Sequence, residues 1–383
     1  MKKKIPYTLI TVISCTFALV VNAQVAFQNN GNVQIHDQGQ MGFHIDLINQ
    51  GVFNQNLGLA GFYNQNNPLI VSGNAVVFND LEIDVTNNLF LRTAVGVSNG
   101  ANFITGLVVT DRNQLGVSLD FINDAFYSGV VNTSHTDGYS SVSGTDAFTF
   151  PIGDDSRFRP MSVSSSSSQQ FFSGAYFFED PNSPSTFGTN FNTNTKQGRI
   201  GSVNPTEFWD LNGKTETSVT LTWDANSNIS FLVDDIENLL VVGWNENDAE
   251  WQDLGNTEVT GDITSGSITS FTFSPSDYAI ITIGAANTTA ENLNYGISPD
   301  GDGINDVLVI EATRNRTQNH LEIYNRWGVK VYEADGYTND WNGTSDGRIT
   351  ISRDKGLPVG TYFYILEFKD TGEKVTGYIY INR

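Results

Sequence analysis

The chain has 383 residues with 42 acidic and 20 basic side chains, a formal net charge of −22. So large an excess of carboxylates leaves a phosphate backbone or an anionic headgroup without cations to meet, which argues against nucleic acid and acidic membrane surfaces as partners. The single cysteine, Cys15, falls in the first 23 residues. Removal of that segment leaves no disulfide, thiol nucleophile or thiolate metal site, and a length that allows two or three domains stabilised by packing and backbone pairing alone.

Lys2, Lys3 and Lys4 form a basic start, residues 9–21 are apolar, and Val21-Asn22-Ala23 precedes Gln24. This is the pattern of a signal peptide over residues 1–23, too short to span a membrane. Val12-Ile13-Ser14-Cys15 also fits a lipoprotein box, which would leave Cys15 lipidated. The apolar run continues through residues 16–21, however, and favours cleavage after Ala23. Residues 24–290 carry 28 acids against 7 bases, whereas residues 291–383 carry 14 against 10. The charge therefore sits mainly on the first part, as a solubilising surface or an acidic binding face.

Helical periodicity is nearly absent, and short β-branched and aromatic runs recur between Gly, Asn, Asp and Ser. Residues 24–143 hold very short runs: Val33-Gln34-Ile35, Phe43-His44-Ile45-Asp46-Leu47, Leu69-Ile70-Val71, Leu81-Glu82-Ile83-Asp84-Val85, Leu89-Phe90-Leu91, Gly106-Leu107-Val108-Val109 and Val117-Ser118-Leu119. Strands of three to five residues with Asn at the corners are stable only when coil stacks on coil. A parallel β-solenoid is the first expectation and an irregular antiparallel sandwich the second, since no repeat period is clean.

Residues 144–284 change character. A serine run at 164–168 reads as a loop or polar strand edge. Val219-Thr220-Leu221-Thr222-Trp223, Leu239-Leu240-Val241-Val242-Gly243-Trp244, Phe271-Thr272-Phe273 and Tyr278-Ala279-Ile280-Ile281-Thr282-Ile283 alternate as half-buried antiparallel strands do, which predicts a β-sandwich. Trp209, Trp223, Trp244 and Trp251 fall here, as core packing or as a carbohydrate-stacking platform. Residues 284–290 are small and polar and read as a hinge, with 285–290 as the linker proper.

The last segment, 291–383, opens with Ser298-Pro299-Asp300-Gly301-Asp302-Gly303-Ile304-Asn305-Asp306. Asn325-Arg326-Trp327-Gly328, Asp340-Trp341-Asn342-Gly343-Thr344 and Leu357-Pro358-Val359-Gly360-Thr361-Tyr362-Phe363-Tyr364 follow in that order. Strands are expected at 321–324, 329–332, 362–366 and 377–381. This segment resembles the gliding-motility-associated C-terminal domain, the type B sorting signal of type IX secretion cargo in Bacteroidota. The resemblance implies an immunoglobulin-like sandwich, export across two membranes to the cell surface or the medium, and docking to the type IX translocon and an outer-membrane partner. It also implies a recognition surface for that machinery, for which Arg326 and Arg383 are the candidates, within a set that includes Asn325, Trp327 and Gly328. Gly328 fits a positive-φ turn, and Trp327 and Trp341 are expected as core anchors.

Catalytic constellations are weak. Gly96-Val97-Ser98-Asn99-Gly100 matches a nucleophile elbow in letters, but the elbow needs a helix after Ser98 and a β run follows. His36, His44, His135 and His320 form no His-Glu-x-x-His face; His36 and His44 stand on separate short strands, and His135 lies in a polar stretch that reads as a loop. Nucleotide-binding motifs are missing. Asp300, Asp302, Asn305 and Asp306 are the metal candidates, a set of oxygens suited to calcium, with turn capping as the alternative. Ile304 and Asn305 break the EF-hand template. No other cofactor is expected.

The chain is thus expected to be an all-β, non-enzymatic cargo protein, adhesin-like, presenting an acidic β body to a polysaccharide or surface ligand. A carbohydrate-binding protein or polysaccharide-degrading enzyme is the first rival, and an accessory part of the gliding or secretion apparatus the second.

Overall fold

The computed structural model describes residues 26–287, 295–310, 313, 316–345, 356–369, 372 and 374–383. The signal-peptide segment, and residues 288–290 of the expected hinge, lie outside these. Among the described residues the regular structure is almost all strand, with four short 3-10 turns as the named helical elements.

The first part is a β-solenoid. One parallel sheet takes Ala26–Asn29, Asp46–Asn49, Leu69–Gly73, Leu89–Leu91, Val108–Val109, Thr136–Asp137 and Ile152–Asp154 in that order. A second takes Gln40–Phe43, Leu59–Asn64, Val76–Val85, Val95–Thr105, Leu119–Ile122 and Ser140–Gly144. In the second sheet Gln40 pairs with Leu59, Leu59 with Asp80 and Asp80 with Gly100, steps of 19, 21 and 20 residues. A coil of this length returns each strand beside its predecessor. The apolar column follows: Leu47, Val71 and Leu91 are stacked and buried on one sheet, and Phe43, Phe62 and Ile83 on the other. Phe43 and Phe62 lie face to face at 4.9 Å.

Asparagine closes the coil corners. Asn29 Nδ2 donates to Asn49 Oδ1 at 2.8 Å, and Asn49 Nδ2 donates to the Asn74 carbonyl at 3.1 Å. Both side chains are buried, so this ladder satisfies polar groups that water cannot reach. Several runs differ from expectation. Val33-Gln34-Ile35 forms no named strand, and residues 43–47 turn a corner between two strands. Val76–Val85 and Val95–Thr105 reach 10 and 11 residues, because a strand paired on both sides can run through a local bulge without losing its ladder.

The second sheet does not stop with the solenoid. Ser140–Gly144 pairs parallel with Leu119–Ile122 on one side and antiparallel with Gln170–Phe177 on the other. The sheet continues through Phe208–Gly213, Tyr278–Ala286, Leu239–Asn245 and Glu250–Gly255. A five-stranded antiparallel sheet, built from Phe148–Phe150, Met161–Val163, Val219–Trp223, Ser265–Thr269 and Glu258–Asp262, covers one face of this extension. One apolar cluster accordingly runs from Ile35 in the first coils to Ala285.

Two expectations for this region fail. Phe271-Thr272-Phe273 is not a strand: Phe271 N bonds the Leu254 carbonyl and Phe273 N the Thr217 carbonyl, so the segment crosses from one sheet to the other. Gly284-Ala285-Ala286 is not hinge but the end of Tyr278–Ala286, and small residues there serve packing. A Cβ on Gly284 would stand 2.8 Å from Val242.

The C-terminal segment has its own core. Its sheet has the order Tyr295–Ile297, Lys374–Ile381, Gly360–Phe368, Asn319–Asn325, Lys330–Asp335. Tyr362, Tyr364, Leu366 and Phe368 alternate onto a face covered by Leu308, Ile310, Tyr337, Trp341 and Leu357. On the opposite face Phe363, Tyr378 and Tyr380 stay exposed, with Tyr378, Phe363 and Tyr324 in one cross-strand row.

Candidate functional site

An open cleft of about 810 Å³ lies over the extended sheet, on the face away from the five-stranded sheet. Its floor comes from Phe208–Gly213. Because strand side chains alternate, Phe208, Asp210 and Asn212 share one face while Trp209 and Leu211 enter the sandwich core. Asp210 and Asn212 line the cleft, and Phe208 anchors its wall.

That wall is the segment between Gln170–Phe177 and Ile200–Val203. Phe187 packs on Phe208 at 5.6 Å and on Phe191 at 5.5 Å, and Phe191 packs on Trp244 at 5.8 Å. Backbone bonds hold the segment's ends: Phe191 N donates to the Pro181 carbonyl at 2.8 Å and Thr193 N to Asn182 Oδ1 at 2.9 Å. Phe171, from the neighbouring strand, and Leu115, from a solenoid corner, line the cleft with exposed side chains, and Tyr278, Lys214, Thr215 and Glu246 also belong to its lining.

Asp210 is the unusual group. Its side chain is only 6% exposed; Tyr139 Oη donates to Oδ2 at 2.5 Å and Asn212 Nδ2 to Oδ1 at 2.8 Å. Burial pushes its carboxyl up to about 6, the two hydrogen bonds oppose that rise, and the nearby Glu246 charge adds to it. The result is a carboxyl that exchanges its proton near neutral pH in an open cleft, fixed in one orientation. The sequence reading overlooked these residues. The available signal was an acid directly after two aromatics, Phe208-Trp209-Asp210, together with two phenylalanines in an otherwise small and polar stretch at 181–198.

A second buried polar group fastens the sandwich. Arg159 Nε lies 3.4 Å from Glu207 Oε2 and its Nη2 lies 2.8 Å from Asp224 Oδ1, while Tyr176 Oη donates to Glu207 Oε2 at 2.5 Å. Burial raises the Glu207 carboxyl, and the Arg159 charge works against that rise. This cluster lies outside the lining of the cleft and reads as structural.

The candidates named from the sequence fall as follows. Ser98 lies inside the continuous strand Val95–Thr105, so the elbow is absent. His36 and His44 belong to no metal-sized group among the described residues. His135 lies at a bend just before Thr136–Asp137, as a loop residue, but it is fully buried against Phe158, its Nδ1 3.0 Å from the Val131 carbonyl, and burial lowers its pKa. Trp209, Trp223 and Trp251 are core residues, and Trp244 is half-buried against Trp251. None of the four forms a stacking platform.

In the C-terminal segment, ligand atoms of Asp300, Asp302 and Asp306 lie within 4.8 Å of one another, a spacing a hard cation can use. Asn305 adopts φ 54° beside them. The Asp306 carboxylate already accepts from Gly301 N and Gly303 N, both at 2.8 Å, which holds its pKa below the usual carboxylate range. Asp302 Oδ1 accepts from Ile304 N at 2.7 Å. Turn capping thus uses several of the oxygens that a cation would need. His320, Glu322 and Glu333 also converge, but Lys330 Nζ bridges the two carboxylates at 2.8 and 2.7 Å and supplies the positive charge itself.

Trp341 is buried as expected, its Nε1 donating to the Thr344 carbonyl at 2.8 Å. Trp327 is not a core anchor. It is 71% exposed at the tip of the hairpin between Asn319–Asn325 and Lys330–Asp335, with the Arg326 guanidinium 4.2 Å from its ring centre. Asn325 Oδ1 accepts from Trp327 N and Val329 N, and Gly328 takes φ 73°. The turn spends its polar atoms on itself and leaves the ring in water. Arg383 reaches the Gly343 carbonyl at 3.4 Å.

Residues 291–381 match the CHU_C type IX secretion signal domain. The match covers that segment alone, and it marks the chain as type IX secretion cargo, exported to the cell surface or secreted and in contact with the secretion machinery. No curated protein and no solved structure matches the chain.

Proposed function

We propose that this type IX secretion cargo works as an adhesin-like binding protein, with the cleft over Phe208–Gly213 as its ligand site. The observation that carries the reading is the cleft itself. It is an open, partly aromatic concavity with a fixed carboxyl and an amide on its floor, built on a sheet continuous with the solenoid. A solenoid of stacked coils is a stiff mount for such a site. The signal segment supplies delivery: passage through the periplasm after signal-peptide removal, then docking to an outer-membrane partner. The exposed Arg326–Trp327 tip and the bare aromatic face around Phe363 are the surfaces this reading assigns to that contact.

Beads coated with the full chain should adhere to cells or particulate polysaccharide, and Asp210→Asn together with Phe171→Ala should reduce that adhesion. Adhesion that ignores the cleft variants would remove the cleft from the account. A second reading, a polysaccharide-degrading enzyme, has one observation in its favour: Asp210 and Glu246 both line the cleft. Release of reducing ends from a polysaccharide panel would favour it, and binding without release would favour the adhesin.

A further inference from the structure

We propose that the ligand of the cleft is an uncharged saccharide, bound with its hydroxyls on Asp210 and Asn212 and its C–H face on Phe171. The inference rests on the binding-protein reading and narrows it to one ligand chemistry. Three features of the cleft point the same way.

The first is the pattern of polar groups. Asp210 and Asn212 stand two positions apart on one strand face and so project side by side. The carboxyl accepts and the amide both donates and accepts, a pairing suited to neighbouring hydroxyls on a ring. Both are held before any ligand arrives: Tyr139 and Asn212 each donate to Asp210, and aromatic contacts fix the wall at Phe187 and Phe191. Preorganised groups lose little freedom on binding.

The second is the placement of apolar surface. Phe171 lines the cleft with 57% of its surface in water. A ring left exposed beside polar groups gains by covering one face with C–H, which a pyranose offers while its hydroxyls point outward to the carboxyl and amide. A lipid chain would instead have to desolvate the exposed Glu246 and Lys214 without pairing them.

The third is charge. The cleft holds two carboxyls against one lysine, in a body with 28 acids and 7 bases. Uronates, sulfated sugars and phosphorylated ligands are repelled by that field, whereas uncharged sugars are indifferent to it.

Titration calorimetry on the full chain tests this with gluco-, manno- and xylo-oligosaccharides of two to six units and with an oligogalacturonate of matching length. At least one neutral series should bind, gaining affinity with length, and the oligogalacturonate should not. Phe171→Ala and Asp210→Asn should each weaken binding roughly tenfold or more, since each removes a stacking face or a charged acceptor. A circular-dichroism melt close to that of the parent chain confirms that each variant is folded. Binding of the oligogalacturonate in preference to neutral sugars, or binding unaffected by both variants, overturns the assignment. If no member of the panel binds while coated beads still adhere through the cleft, the saccharide assignment fails and the adhesin reading stands. If neither binding nor adhesion occurs, both fail.

Discussion

Asp210 carries a testable electrostatic signature. Its folded carboxyl holds a proton up to about 6, above its ordinary value of 3.8. The folded state therefore binds this proton more tightly than the unfolded chain. The stability that follows is fully present below pH 3.8 and is lost as pH rises through about 6. Over that window the parent chain should lose up to about 3 kcal/mol that Asp210→Asn does not, read as the difference between their urea midpoints at pH 4 and pH 7. Equal pH slopes in the two proteins would contradict the burial assigned to this carboxyl. Arg159 makes the complementary case. Removing it as Arg159→Met strands the buried Glu207 charge and should cost about 3–5 kcal/mol. Arg159→Met with Glu207→Leu should cost less than the single change, because no uncompensated charge remains. A double variant less stable than the single one would mean that the Tyr176 hydrogen bond, with Arg159 gone, stabilises Glu207 by more than burial costs.

The coils of the solenoid constrain particular backbone positions. Gly106 has φ 83°, and a Cβ there would stand 1.8 Å from the Val85 carbonyl of the coil before it. Gly106→Ala should therefore destabilise by about 1–3 kcal/mol, measured by denaturant unfolding, well beyond the effect of an exposed glycine. An unchanged midpoint would show that the coils are not stacked in this register. The sequence announced this architecture through its short apolar runs and Asn-rich corners, and it located strands such as Leu69–Gly73, Val76–Val85 and Leu89–Leu91 while passing over Leu59–Asn64 and Val95–Thr105. It hid the period, because coils of 19, 21 and 20 residues differ by single-residue corner adjustments that blur any repeat. It also misplaced groups whose setting is tertiary. His135 sits in a polar stretch yet is enclosed by Phe158 from a later strand. Trp327 looks like core by type, but its turn satisfies itself through Asn325 and leaves the ring outside. Gly284-Ala285-Ala286 has a linker's composition yet ends a strand, and at Gly284 the Val242 side chain leaves no room for a Cβ. The cleft was the least legible part, since Asp210, Phe171 and Glu246, at the turn after Leu239–Asn245, meet only after four strands far apart in sequence have paired.

At the scale of the whole molecule, the chain divides its tasks by composition. The acidic body, 28 acids to 7 bases, carries the cleft, and the nearly balanced last segment, 14 to 10, carries the delivery signal with its own separate core. Trp327→Ala removes an exposed ring and should leave stability within about 0.5 kcal/mol. Under the docking assignment it should nonetheless lower the exported fraction, and undiminished export would remove the hairpin tip from the recognition surface. The most direct test of the central claim is transplantation of the delivery signal. Residues 288–383 are fused behind a fluorescent passenger with its own signal peptide, in a host that has a type IX secretion system, and the passenger is measured outside the cell and in the periplasm. The account predicts export that depends on an intact type IX translocon. A passenger that remains in the periplasm, with the fused segment folded and uncleaved, would contradict it.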